Sequence, residues 1–315
     1  NVSADIEMKE WRAVLTQGYR EARGYFSVNV TDPLVPNWMW EISPEERCYA
    51  IEGGIRTCKP NTQASSNFCY LGNTTSKPVL GHVFLNSFGG LGAQERAVAI
   101  FGGGQFDEAG NKTVSCGLEN ELPESKIGQS FYVVDLETGE KIAEFRPELG
   151  NVRGEGGTTA LSQLKKTFKY DIVGSPACFN PSIGGTVSRC FVGDEGGQLW
   201  RIDLSSGDPD DWTMSFFHDA YGNQPSGQVT RSPLFEAPTL ALQGDTGRLA
   251  VLYGTGDIDQ TEALGTNHSV YSLVEKVALN EDGSVDSVSD IVAEENWSLH
   301  FTDGTSVMGT PIVFD

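Results

Sequence analysis

Apolar residues in this chain fall in short runs that alternate with polar positions or stop at glycine; long stretches at helical spacing are scarce. Four aromatic runs set the pattern: Tyr25-Phe26-Ser27-Val28-Asn29-Val30-Thr31-Asp32, Phe131-Tyr132-Val133-Val134-Asp135-Leu136-Glu137-Thr138-Gly139, Leu199-Trp200-Arg201-Ile202-Asp203-Leu204-Ser205-Ser206-Gly207 and a degenerate Val270-Tyr271-Ser272-Leu273. Each predicts a strand, and the second and third run into an Asp-x-x-Thr/Ser-Gly turn. Upstream of each lies a strand that ends in glycine: Trp11 to Gly18, Arg96 to Gly104, Ser188 to Gly193 and Arg248 to Gly256. Runs such as Ala97-Val98-Ala99-Ile100-Phe101 are too short, and too closely flanked by glycine, to be helices. Farther upstream a strand opens on proline, at Pro78, Pro176, Pro238 and Pro311. Downstream an aromatic segment closes each unit: Trp38-Met39-Trp40, Ala143-Glu144-Phe145, Trp212 to Phe216 and Trp297 to Phe301.

Four strands per repeating unit predict an all-β chain, a β-propeller with about four blades of four antiparallel strands, because one blade cannot bury its faces alone. The interval from Phe26 to Tyr132 exceeds the two later intervals by roughly 35 residues, which the repeat assigns to an insertion. Residues 43–77, holding Cys48, Cys58 and Cys69, are read as that insertion, a disulfide-stapled surface loop that Cys116 could tie down. Leu161, Leu164 and Phe168 within residues 154–170 predict one short helix. The first unit lacks its proline-led strand, whereas the chain finishes on such a strand, Thr310 to Phe314. A closed ring could use it to complete the first blade. The preferred reading is that residues 1–315 are a single propeller region excerpted from a larger, quinoprotein-like propeller.

Composition narrows the functional classes. With 43 Asp plus Glu against 22 Lys plus Arg, the formal charge is -21, and no basic stripe exists to neutralise phosphates, so nucleic acid is not an expected partner. No apolar stretch approaches the 18 or so residues needed to span a bilayer, so no membrane span is expected. Six cysteines occur without a Cys-x-x-Cys pair, which points to disulfides and an oxidising compartment rather than to zinc. Asn-x-Ser/Thr sequons stand at Asn1, Asn29, Asn73, Asn111, Asn267 and Asn296; they would carry glycans in a eukaryote and be mostly silent in a bacterium.

Candidate chemistry is thin. Two acidic clusters offer hard oxygen ligands: Asp257, Asp259 and Glu262, and a second from Asn280 to Asp286 with Asp290. Neither follows the EF-hand template, and solvated hairpin turns are the preferred reading, with the first cluster kept as the calcium candidate. The glycine clusters lack the Gly-x-x-x-x-Gly-Lys-Ser/Thr pattern of a phosphate loop and read as turns. The four histidines, 82, 218, 268 and 300, include no His-x-x-x-His pair, and no Gly-x-Ser-x-Gly elbow is present. They read as ordinary surface or strand residues.

Phe191-Val192-Gly193-Asp194-Glu195-Gly196-Gly197-Gln198-Leu199-Trp200-Arg201-Ile202-Asp203-Leu204 resembles the Gly-Asp-x-x-Gly-Asn-Leu-Trp-Arg-Phe-Asp-Leu signature of the PilY/PilC family, the adhesin and assembly factor at type IV pilus tips. Tyr25 to Pro33 with Trp40-Glu41, Ala99 to Gly104, Phe131 to Gly139 and Tyr253 to Asp257 resemble other motifs of that family in the same order. The resemblance implies the C-terminal propeller of a longer secreted protein. It implies an extracellular place at the bacterial pilus tip or outer cell surface, with minor pilins and a host or abiotic surface ligand as partners. Members of the family hold calcium in an Asp-rich loop, but the matching loop here, Phe179 to Arg189, contains no Asp or Glu. Cys178 and Cys190 bracket it, and a cross-strand disulfide is expected to replace the metal. The pairing of Cys48, Cys58, Cys69 and Cys116 is left open.

Val134 to Lys141 also resembles the docking repeat of pyrroloquinoline-quinone dehydrogenase propellers. Those enzymes need a vicinal disulfide and quinone ligands, and no adjacent cysteines occur here, so no catalysis and no cofactor are expected. A non-adhesive envelope-assembly scaffold is the third reading.

Overall fold

The computed structural model describes residues 11–44, 46–51, 55–60, 68–106, 126–182, 184–222, 231–256, 268–277, 291–301, 305–307 and 309–313. Its strands form four sheets. The first has order β1-β2-β3-β4-β5, built from β1 (Val14–Gly18), β2 (Tyr25–Asn29), β3 (Asn37–Ile42), β4 (Glu46–Ile51) and β5 (Ile55–Pro60). The second is β6 (Val79–Leu85), β7 (Gln94–Gly102), β8 (Phe131–Asp135) and β9 (Lys141–Phe145), paired in chain order. In the third, β11 (Ala177–Phe179), β12 (Arg189–Gly193), β13 (Gln198–Asp203) and β14 (Thr213–Asp219) follow the same meander, and β10 (Val152–Arg153) joins β14 in parallel. The fourth is β15 (Thr239–Leu242), β16 (Leu249–Gly254), β17 (His268–Val277) and β18 (Ile291–Phe301). The expected helix is α1 (Leu161–Thr167), whose Leu164 is buried.

Strand alternation explains how the sheets stack. On β8, Phe131 and Val133 join the core shared with the third sheet, while Tyr132 and Val134 join the core shared with the first. Residues of β7 divide the same way, Val98 and Ile100 against Ala99 and Phe101. Phe191 and Leu199 turn to the fourth sheet, opposite Val192 and Trp200. A middle blade covered on both faces therefore reads as a nearly continuous apolar run, as any strand buried on both sides must. The sheets are the blades of a β-propeller, each packing its faces on its neighbours.

The turns after β8 and β13 show why Asp recurs there. Asp135 is buried and its Oδ1 accepts from the N–H groups of Glu137 and Thr138 and from Thr138 Oγ1. Asp203 Oδ1 accepts from Ser205 N–H in the same manner. The carboxylate thus satisfies turn donors that no strand reaches. Gly139 follows at φ 68°, and a Cβ there would lie 2.9 Å from the Trp40 ring. Trp40 Nε1 donates to Leu136 carbonyl at 2.8 Å, so the first blade's aromatic strand seats on the second blade's Asp turn.

Two sequence expectations change. Among the described residues of 43–77, read as a surface loop, β4 and β5 form a hairpin that extends the first sheet through β3, and Phe68 and Leu71 are fully buried core residues. Repeat arithmetic could not see that backbone groups at a sheet edge favour a paired hairpin over an open loop. Residues 310–313 form no strand within the described residues; their contact with β15 is the hydrogen bond from Thr239 Oγ1 to Pro311 carbonyl.

Candidate functional site

The stapled hairpins and the blade junctions bring together polar side chains that lie far apart in sequence. Strand β11 pairs with β12 in the register Ala177 to Phe191, Cys178 to Cys190 and Phe179 to Arg189. That register sets the two cysteines directly opposite, and they form a disulfide. Ser188 N–H returns to Phe179 carbonyl, and Gly185 N–H closes a turn onto Ser182 carbonyl. The hairpin leans on the second blade: Val187 N–H donates to His82 carbonyl at 2.7 Å, and a Cβ on Gly81 would strike Val187.

At the hairpin base, Arg189 stacks 5.0 Å over the Phe179 ring and reaches Glu275 of the fourth blade at 2.8 Å. Arg201 meets the other oxygen of Glu275 at 2.7 Å and also Asp203 at 3.1 Å. Both partners are withdrawn from solvent, Arg201 at 5% and Glu275 at 12% side-chain exposure. Removing one member of such a cluster strands a buried charge. This clamp was not read from the sequence. Its signal was present: an arginine opens each glycine-ended strand, at Arg12, Arg96, Arg189 and Arg248. Each meets a carboxylate, Glu137, Asp135, Glu275 and Glu294 in turn.

A second cluster sits where the third and fourth blades meet. His218 Nδ1 lies 2.6 Å from Tyr253 Oη, and Tyr271 Oη donates to Ala220 carbonyl. Burial holds the His218 imidazole below its ordinary value and pushes the Tyr253 phenol well up. His268 is also buried. Both histidines stand on strands, as read from the sequence, His218 on β14 and His268 on β17; the sequence did not show that His218 meets Tyr253 of the fourth blade.

Asp194, the acid of the Gly-Asp motif, is fully enclosed. Gly196 and Gln198 N–H groups donate to its Oδ1, and Trp200 Nε1 donates to its Oδ2. Burial outweighs these donors and pushes the carboxyl up to about 7. Asp171 behaves alike, up to about 7, from burial opposed by the Phe106 N–H and reinforced by nearby Glu195. Asp194 thus organises its own Gly-rich turn, and Asp171 ties Phe106 N–H to the segment before β11.

No protein-family model and no curated protein sequence matches the chain. Among solved structures, the crystal structure of the Pseudomonas aeruginosa PilY1 C-terminal domain has the same fold, with a TM-score of 0.54 and 16% sequence identity. The match covers 94% of this chain and 60% of that one. The chain therefore spans about three fifths of the domain it superposes on. At this identity the likeness is one of fold, and it agrees with the all-β propeller read from the repeat.

Against that fold the sequence-derived site residues fall as follows. Cys178 and Cys190 are joined. Cys48 pairs with Cys58 across β4 and β5, and Cys69 is also disulfide-bonded; Cys116 lies outside the described residues. The calcium candidates Asp257, Asp259 and Glu262, and the cluster from Asn280 to Asp290, lie outside them too. The Phe179 to Arg189 hairpin does not fit calcium, since it carries no carboxylate and its base is closed by a disulfide. Among the described residues one grouping has metal-ligand spacing, Glu46 with Cys48 and Cys58, and its two sulfurs are already bonded to each other. No helix among the described residues is long and apolar enough to cross a membrane.

Proposed function

We propose that this chain is the propeller portion of a secreted, type IV pilus-associated protein that acts as a non-enzymatic binding scaffold. In this reading it works at the pilus tip or outer cell surface, in pilus assembly and adhesion, with minor pilins and a surface ligand as partners. The observation that carries it is the fold match over 94% of the chain to the PilY1 C-terminal domain, reached independently of the ordered sequence motifs that resemble the same family. Two disulfides among the described residues suit an oxidising location. Stacked blades joined by buried ion clusters hold exposed hairpins rigidly, which suits presentation of a surface rather than turnover.

The experiment is deletion of the gene with counting of surface pili, paired with binding of the purified chain to the minor pilins of its own genome. Loss of pili or of surface attachment, with measurable pilin binding, is expected. Wild-type piliation and attachment with no pilin binding would overturn the proposal. Quinone-dependent dye reduction by the purified chain with added quinone and calcium would replace it with the dehydrogenase reading.

A further inference from the structure

Strands β9, β14 and β18 are each fourth in the meander of their blade, and β3, third in a sheet whose meander starts at β1, likewise follows the aromatic strand of its unit. The free edge of such a strand exposes unpaired N–H and C=O groups that recruit another strand unless something blunts it. In the first blade the edge of β3 is taken by the β4–β5 hairpin. In the third, the two-residue strand β10 adds in parallel to β14, with Val152 opposite Met214 and Arg153 opposite Ser215. The edge of β9 is five residues long and begins with Lys141, a short and charged edge that discourages pairing.

The edge of β18 is longer and has no added strand among the described residues, and its charged residues are Glu294 and Glu295 rather than a lysine. It runs for 11 residues, Ile291–Phe301, with no proline, glycine, lysine or arginine, and nothing among the described residues pairs with its outer side. A bulge opposite Ser272 and Leu273 divides it, leaving Trp297 to Phe301 as a regular run. Trp297 and Leu299 pair with Ser272 and Val270 on one face and are 44% and 56% exposed. Glu295 pairs with Leu273 on the other face. It is exposed, accepts a hydrogen bond from Ser298, and meets no cation among the described residues.

We propose that the β18 edge is a strand-addition site for a partner protein, which contributes an extended segment alternating apolar with Lys or Arg residues. Main-chain hydrogen bonds to Trp297 through Phe301 would supply the pairing, and the period of two would set selectivity. Apolar side chains of the segment would lie beside Trp297 and Leu299, and its cations beside Glu295, favoured by the chain's formal charge of -21. The inference goes beyond pilus association and does not depend on it, since it names a docking mode that any extracellular partner could use.

The test uses the whole chain and a nine-residue peptide alternating Lys and Val. Controls are a peptide of the same charge interrupted by two prolines and a peptide alternating Glu and Val. Binding is read by anisotropy of a labelled peptide and by hydrogen exchange of the β18 amides. The Lys/Val peptide is expected to bind and slow exchange across residues 297–301. Glu295→Lys and, separately, Leu299→Lys should weaken it roughly ten-fold, each with unchanged thermal unfolding. Equal binding of the proline-interrupted or acidic peptide, protection elsewhere, unchanged binding in both variants, or self-association cross-linked through residue 299 would each overturn the proposal.

Discussion

Replacing Cys178 and Cys190 together with alanine isolates what the staple contributes to the hairpin between the second and third blades. The bridged residues are 12 apart in sequence, and freeing a loop of that size in the unfolded chain costs roughly 3 kcal/mol at 25 °C in the chain-entropy account. Cys190 is fully buried in the core with Val192, Trp200 and Ile202, so truncation there removes packing of about 1 kcal/mol as well. A loss of about 3–4 kcal/mol is therefore expected. Urea unfolding followed by tryptophan fluorescence measures it, because Trp200 and Trp212 are buried in that same core. Limited proteolysis should show new cleavage between residues 180 and 188 before the blades open. Millimolar calcium should restore nothing, since the hairpin has no carboxylate to offer. A loss below about 1 kcal/mol, or recovery of stability by calcium, would refute the reasoning that the disulfide takes the place of a metal.

Three further outcomes can be checked on the same material. Gly139→Ala should cost about 1–3 kcal/mol in thermal or urea unfolding, because the residue adopts φ 68° and its new methyl would press on Trp40; an unchanged midpoint would count against the interblade seat. Glu275→Leu should destabilise by about 1–3 kcal/mol, because buried Arg201 keeps only Asp203 and half-buried Arg189 loses its carboxylate; the combined Arg201→Met, Glu275→Leu variant should be less harmed than the sum of the single changes. Asp171 and Asp194 hold folded-state values of about 7 against an ordinary 3.8. Between these values the folded chain keeps protons that the unfolded chain has released. Stability should then fall as pH rises from about 4 to about 7 and level off above, and Asp171→Asn should flatten part of that slope.

How far the sequence could be read follows from which signals are local. The repeat of proline, glycine, Asp-turn and aromatic segments is a local pattern, and every one of those strands in the second and third blades appears where the pattern places it. Helix α1 was legible from Leu161, Leu164 and Phe168 for the same reason. The β4–β5 hairpin was not, because Cys48 and Cys58 lie among polar residues and the strand edge that recruits them belongs to β3. Histidines 218 and 268 stand on strands as read, but how far each is covered was not legible, because the face of a strand is covered by its neighbouring blade, which a single run of residues does not display.

The chain's own residues determined the fold class, the blade period and the chemistry of the turns, since these depend on alternation, on glycine at positive φ and on Asp as a local acceptor. They also determined that the acids are absent from the hairpin where the resembled family keeps calcium. Only the tertiary structure decided which carboxylate each strand-opening arginine meets, which cysteine Cys48 chooses and which strand edge is left bare. Those outcomes rest on contacts between residues far apart in sequence, where distance, burial and sheet register select one partner from many of the same type. The family resemblance and the fold match then converge on one proposal, and the bare β18 edge adds a place on the molecule where a partner can be sought.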